Sequence, residues 1–443
     1  MMVSLASTYL QKSSYLLFPP STDLCWRLAN YCEVWLAKHA DDGTLIDDGF
    51  VGVNLLTKVQ LPTVPSLYGS MLAGVDYVLM GAGIPMKIPG ILDNLSECVD
   101  CEQQIDMVDS SEGFALKFSP HAFWKASGRP DLAKPIKRPD FIPIVSSVVL
   151  AQSMLKRASG KGPTGGIDGF VVELNTAGGH NAPPRGFHYD AKKKTHSNDL
   201  NERGEPIYGE KDDVDLEKFA KVAKGLPFWL AGSYADPSLL CDVVGIGGAG
   251  VQVGTAFALA RESGMERKTR QKILNDLAEE DLDVFTDPAA SPTGFPFKVL
   301  ELEGSLSEAE TYENRPRACS MGYLREMYTK EDGTMGFRCA AEPVDAYLKK
   351  GGEIEATHGR KCLCNALCAN VGMPQVYPKS GYAEDMLITI GDDINNCRRY
   401  LKQDENGDWS YSATDVIDYL LSEYKERGLA KKENADAFVF APK

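Results

Sequence analysis

The chain has 443 residues, 43% hydrophobic and 25% charged, enough to bury a sizeable core in one large domain plus an appendage or in two domains. A formal net charge of −15 argues against nucleic acid and anionic membrane as default partners. No apolar run approaches the ~20 residues of a membrane span, no secretory h-region is readable, and the 11 cysteines are an odd, scattered set. These features predict a soluble protein of a reducing compartment such as the cytoplasm, acting on a small molecule. They do not specify an oligomeric state. The first 20 residues are acid-poor and rich in Ser and Tyr, but their lack of Arg reads against a transit segment.

A helix is predicted to start near Ser21-Thr22-Asp23 and to run through LCWRLANYCEVWLAKHA, with Leu24, Leu28, Cys32 and Trp35 at helical spacing. Six short apolar runs follow: FVGVNLL (50–56), YVLMGAG (77–83), FIPIVSS (141–147), GFVVELN (169–175), PFWLAGS (227–233) and GVQVGTAF (250–257). Each is nearly all apolar, then breaks into Gly, Ser, Asn or Thr. Such runs are strands buried on both faces, as in a parallel sheet covered by helices. Helices are predicted between them over 65–74, 148–158 and 213–225. The fold class is therefore α/β, a TIM-type (β/α) barrel. Residues 1–45 form a helical segment, 46–300 the barrel, and 301–443 a mixed C-terminal extension ending in a helix over 413–428. Two insertions interrupt the barrel. Residues 91–140 hold an acidic stretch and a hairpin around FALKFSP; residues 181–212 are long enough to act as a lid or binding element.

The most informative segment is GFVVELNTAGGHNAPPRG (169–186). A strand ends at Asn175, Ala177-Gly178-Gly179 allows close backbone approach, and His180 follows at the strand's C-terminal mouth. Imidazole there can exchange a proton near neutral pH, although a lone His can also serve only to hydrogen-bond a loop. Gly232-Ser233 and Gly254-Thr255 then end two successive strands. In barrels such loops often hold a phosphate on backbone amides and a helix N-terminus.

The AGGH, LAGS and VQVGTAF segments, in this order and spacing, resemble the nitronate monooxygenase (2-nitropropane dioxygenase-like) family, which includes FMN-dependent enoyl-thioester reductases. VGVNLL, YVLMGAGIP and FTDPAASPTGFPFK (285–298) extend the resemblance over roughly residues 45–300. The resemblance implies FMN as cofactor. It places Asn54 and the Gly81–Gly83 loop (Gly81, Gly83) against the flavin ring, with Ser146 at the next strand's end. Glu173, Ala177, Gly178 and Gly179 would line the cofactor, Gly232, Ser233, Gly254 and Thr255 would hold its phosphate, and His180 would be the catalytic acid/base. The activity implied is a nitronate monooxygenase-like oxidation of a small carbon acid by O2. An FMN- and NAD(P)H-dependent enoyl-thioester reductase is the alternative, and a non-catalytic barrel that keeps the phosphate loops a third. The family's first strand, with its apolar-Pro-Met segment, and the strand after it are not readable before Gly52.

The extension holds Cys319, Cys339, Cys362, Cys364 and Cys368, whose spacing is not that of a zinc site; no metal is expected. Cys98 and Cys101 form a lone CxxC without a partner pair. The basic residues at 267–272 read as a solvated helix face, and GGEIEATHGRKC (351–362) carries no assignment.

Overall fold

The computed structural model describes residues 10–11, 15–17, 20–46, 49–108, 114–186, 188–190, 195–197, 200–378 and 380–426. All six apolar runs are strands of one sheet: β1 (Gly52–Leu56), β2 (Tyr77–Gly81), β3 (Asp140–Val145), β4 (Phe170–Glu173), β5 (Phe228–Ala231) and β6 (Gly250–Gln252). They pair in chain order and every pairing is parallel. Among the described residues neither β1 nor β6 gains a second partner in the sheet, so the strands form an open half of a TIM-type barrel.

Side-chain alternation explains the continuous apolar runs. One row (Tyr77, Leu79, Ile142, Ile144, Val171, Trp229, Ala231) faces the lumen. The other row (Val78, Met80, Phe141, Phe170, Val172, Phe228 and Leu230 among it) packs on the covering helices. Those helices are α2 (Thr63–Leu72), α3 (Ile88–Ser96), α4 (Val148–Arg157), α5 (Leu216–Ala223) and α6 (Pro237–Gly245). Ser147, Asp215 and Asp236 cap α4, α5 and α6 by accepting first-turn amides. Helix α3 falls partly inside the segment read as an insertion. It is the regular crossover between β2 and β3, burying Ile88, Ile91, Leu92 and Leu95. The hairpin expected around FALKFSP pairs Ala115–Phe118 antiparallel with Cys101–Gln104.

The N-terminal helix α1 (Pro20–Lys38) packs on α2, where Gly69 permits the approach; a Cβ there would collide with the Arg27 carbonyl oxygen. Its buried face differs from the expected one. Leu24 and Leu28 are about half exposed and Cys32 is exposed, while Arg27 and Val34 are buried. The Arg27 guanidinium lies 3.9 Å from the Phe123 ring centroid and 5.2 Å from that of Phe118. Stacking a cation on two aromatic rings compensates its burial and turns the leucines outward.

After β6 the chain forms a four-residue helix, Thr255–Ala258, then α7 (Arg267–Glu279), whose Arg267 and Lys268 are solvated and whose Ile273, Leu274 and Leu277 are buried. A hairpin of Val284–Asp287 with Phe297–Leu300 follows. The extension beyond residue 300 shares its cores with these elements. One apolar cluster joins Ala256, Leu274 and Leu300 to Ile388, Ile390 and Val416; another joins Phe297 and Val299 to Leu363 and Leu387. The helix expected over 413–428 is described as Ala413–Leu420 and Ser422–Glu426, the first with a Ser412/Asp415 capping box. None of the 11 cysteines is in a disulfide, and no described group of three or more His, Cys, Asp or Glu is arranged to hold a metal. No described helix is long and apolar enough to cross a membrane.

Candidate functional site

Three cavities of about 430, 320 and 620 Å³ adjoin at the C-terminal end of the sheet. They share lining residues and lie side by side around one chamber wall, with Glu173 common to all three. The residues singled out from sequence all border these cavities. Gly83, Ser146 and His180 line the first cavity, while Asn54, Ala177, Gly178, Gly179, Gly232, Ser233, Gly254 and Thr255 line the second. Gly81 lines the third, which also reaches Asn54, Gly178, Gly179 and His180. Glu173 borders all three.

The second cavity is a backbone cradle. The N–H groups of Gly232, Ser233 and Gly254 have no acceptor among the described residues. Unspent amides facing a cavity are ready donors for an anion. Gly232 has φ +99°, and Ser233 adopts φ +59°, a left-handed conformation rare for a side-chain-bearing residue. A Cβ on Gly254 would meet nothing within 4 Å, so the volume beside its backbone is open. This donor set and open volume fit the phosphate of FMN.

Two expectations about the cradle change. The helix opened by Thr255 has four residues, too short to contribute a useful dipole. The Thr255 hydroxyl does not reach into free space: it accepts the Gly391 N–H at 3.1 Å and bonds the Asp393 carboxyl. Gly178 likewise serves the protein's own backbone, because a Cβ there would meet the Ile390 carbonyl carbon at 2.8 Å. The Gly179 N–H donates to Thr389 Oγ1 at 2.8 Å. Thr389, Ile390, Gly391 and Asp393, from the extension, thus wall the cradle. Burial raises the Asp393 carboxyl, opposed by its hydrogen bond with Thr255 and helped by Asp392. The run LITIGDD (387–393) repeats the apolar-then-Gly signature of the barrel strands and could have marked this segment.

His180 is held on several sides. Its Nε2 lies 2.6 Å from Ser291 Oγ, which lies 2.8 Å from Thr293 Oγ1. Its ring meets Phe297 edge-on at 4.8 Å, and its backbone bridges the same residue. Burial, with the Lys58 ammonium, lowers its pKa to about 4, so the imidazole is neutral at pH 7. The loop carrying Ser291 is braced by the buried Arg360, which donates to the carbonyls of Ala289 at 2.7 Å and Ser291 at 2.8 Å. That gives GGEIEATHGRKC a role that its sequence did not reveal.

The first cavity adds polar groups that the sequence reading missed. Lys58 Nζ stands 5.1 Å from the Phe295 ring centroid. Arg185 donates to the Ser146 carbonyl at 3.0 Å, and its N–H donates to Asp212 Oδ1 at 2.6 Å. Tyr208 donates to the Ala182 carbonyl at 3.0 Å. The 181–212 segment, as far as described, therefore contributes directly to the chamber wall; residues 187, 191–194 and 198–199 lie outside the described residues.

No protein-family model and no curated protein matches the chain. Among solved structures it is similar to FabK from Thermotoga maritima, with 17% identity over 88% of this chain and 80% of that one and a TM-score of 0.43. A nitroalkane oxidase from Streptomyces ansochromogenes has 13% identity over 86% and 81%, with a TM-score of 0.40. The enoyl reductase domain of MlnA from Bacillus amyloliquefaciens has 10% identity over 99% and 95%, with a TM-score of 0.47. Identities this low and superpositions this loose do not say what this chain binds.

Proposed function

We propose that this protein is an FMN-dependent oxidoreductase of the nitronate monooxygenase type, oxidising a small carbon acid with O2. The observation that carries the reading is the cradle of unspent amides at Gly232, Ser233 and Gly254, opening beside the half-buried Glu173, with the half-buried His180 in the adjoining cavities. FMN would be held by its phosphate in the cradle, with Asn54, Gly81, Gly83, Ser146, Glu173, Ala177, Gly178 and Gly179 bordering the rest of the chamber. Bound there, FMN supplies the two-electron chemistry that no side chain here provides. The residues' share is to bind, to exclude water and to move a proton. Neutral His180, fixed by Ser291, is the base for the acidic C–H of the substrate. Lys58 and Arg185 give the same cavity a cationic wall suited to a nitronate or nitro oxygen.

Reconstitution with FMN followed by oxygen uptake on addition of a propyl nitronate tests this reading. Stoichiometric FMN binding and nitronate-dependent uptake are expected; a protein that cannot retain FMN overturns it.

One observation favours a second reading. The 620 Å³ cavity reaching His180 is mostly apolar, with Leu55, Val59, Leu324, Leu363 and Leu367 in its lining. It suits the chain of an acyl thioester, as an FMN- and NAD(P)H-dependent enoyl-thioester reductase requires. NADPH consumption with crotonyl thioester, without nitronate oxidation, selects that reading.

A further inference from the structure

The lumen row of the sheet ends at the chamber floor. Beneath the mouth lie Ile142, Val171 and Trp229, all apolar. Two residues above Val171 on the same face of β4, the row presents Glu173, opposite Ala231 of β5. A carboxyl on top of an apolar stack costs free energy unless something bound there uses it. Glu173 is the one side chain, among the described residues, that borders all three cavities. It has no hydrogen bond or ion pair within the described protein. His180 differs, since one of its ring nitrogens is already taken up by Ser291.

We propose that Glu173 is the general acid of this site, acting opposite His180 as the base. The inference rests on the reading that the chamber takes FMN and a carbon acid. In the step assigned, the substrate C–H bond breaks and its proton passes to the open ring nitrogen of His180. The electron pair moves onto the nitro or carbonyl oxygen. That oxygen takes the Glu173 proton, leaving a carboxylate, and the ligand becomes its aci-nitro or enol tautomer. Two protons move, no electrons leave the ligand, and no co-reactant is needed.

The electrostatics are consistent with this division. Burial raises the Glu173 carboxyl to about 7, while burial and Lys58 lower His180 to about 4. Near pH 7 about half of the Glu173 carboxyls carry a proton, and the imidazole does not. Two groups pushed apart in this way take opposite roles. The other charged or titratable groups around the chamber are Lys58, Arg185, Asp212, Asp393, three tyrosines and two thiols. Burial pushes Tyr208, Tyr234, Tyr323, Cys364 and Cys368 upward, away from neutral pH. Asp393 is also raised by burial, so it is the necessary control.

The test is exchange of the α-protons of nitropropane in deuterated water, followed by NMR on the FMN-loaded protein. Because the acid must be protonated, exchange should fall as pH rises through about 7. Glu173→Gln should slow exchange about 100-fold or more and abolish that fall. Asp393→Asn should keep the fall. Infrared spectra of the protein without nitropropane give a second readout. A protonated-carboxyl band should disappear between pH 6 and 8 in the parent and be absent in Glu173→Gln. A fall that persists in Glu173→Gln, or a band unaffected by it, overturns the proposal. If FMN binds and nitronate is oxidised while Glu173→Gln leaves the pH profile unchanged, only the role of Glu173 fails. If FMN does not bind, the functional reading fails with it.

Discussion

The position of His180 at the cavity is legible from sequence, because it follows Ala-Gly-Gly at a strand end, but its surroundings are not. Nothing in the local sequence places Ser291, more than 100 residues away, at 2.6 Å from Nε2, or Lys58 near enough to depress its pKa. Burial first, and then the Lys58 ammonium, convert a side chain that ordinarily titrates near pH 6.5 into a neutral base, and both depend on long-range packing. His180→Ala is expected to lower kcat by about 10²–10⁴ while leaving FMN affinity within a few-fold, because a base acts in the transition state and the phosphate cradle is elsewhere. Stopped-flow turnover beside a fluorescence titration of FMN checks this. An equal loss of FMN would make His180 a structural residue. Gly178 gives the opposite lesson: its sequence context predicts close approach to a ligand, but what approaches is Ile390 of the same chain.

At the scale of elements, the six strands were legible because a two-sided burial pattern needs only local sequence. The helix Ile88–Ser96 is obscured by the acidic segment that follows it, and the helical spacing of Leu24, Leu28, Cys32 and Trp35 does not mark the buried face of α1, where Arg27 stacks on Phe118 and Phe123. That the segment Thr389–Asp393 lines the second cavity is not legible in the sequence, because it lies more than 130 residues beyond Thr255. It is anchored by Asp392, whose carboxylate bonds the buried Lys298 ammonium at 2.7 Å, while Lys298 also donates to Thr286 at 2.8 Å. Removing one partner of such a pair leaves a charge poorly compensated. Asp392→Ala should therefore destabilise the fold by about 1–3 kcal/mol and also weaken FMN binding, since the cradle wall loosens. Thermal melting and FMN titration measure the two effects. A destabilised variant with unchanged FMN affinity would separate Thr389–Asp393 from the site.

For the whole molecule, the sequence divides visibly near residue 300, where the alternation of strands and helices stops. The packing does not divide there. Ala256 and Leu274 share a core with Ile388 and Val416, Phe297 shares another with Leu363, and the Arg315–Glu384 ion pair is fully buried inside the extension. Such joining is invisible to composition, since it depends on which apolar faces meet. Barrel and extension should consequently unfold together. Urea denaturation followed by tryptophan fluorescence and far-ultraviolet circular dichroism is expected to give one coincident transition. Two separated transitions would mark the extension as an independent unit.

The central claim is that the Gly232, Ser233 and Gly254 amides hold the phosphate of FMN, and Gly254→Val tests it most directly. A Cβ at Gly254 would meet no protein atom within 4 Å, and its backbone is not in the left-handed region, so the substitution has room in the protein itself. In a cradle built for phosphate, that same room belongs to the ligand. Several charge-assisted hydrogen bonds of about 1.5–3 kcal/mol each would be disrupted. The account predicts an FMN affinity reduced at least 100-fold, measured by quenching of flavin fluorescence, with a melting temperature close to that of the parent. Parental FMN affinity in a folded Gly254→Val protein would contradict it.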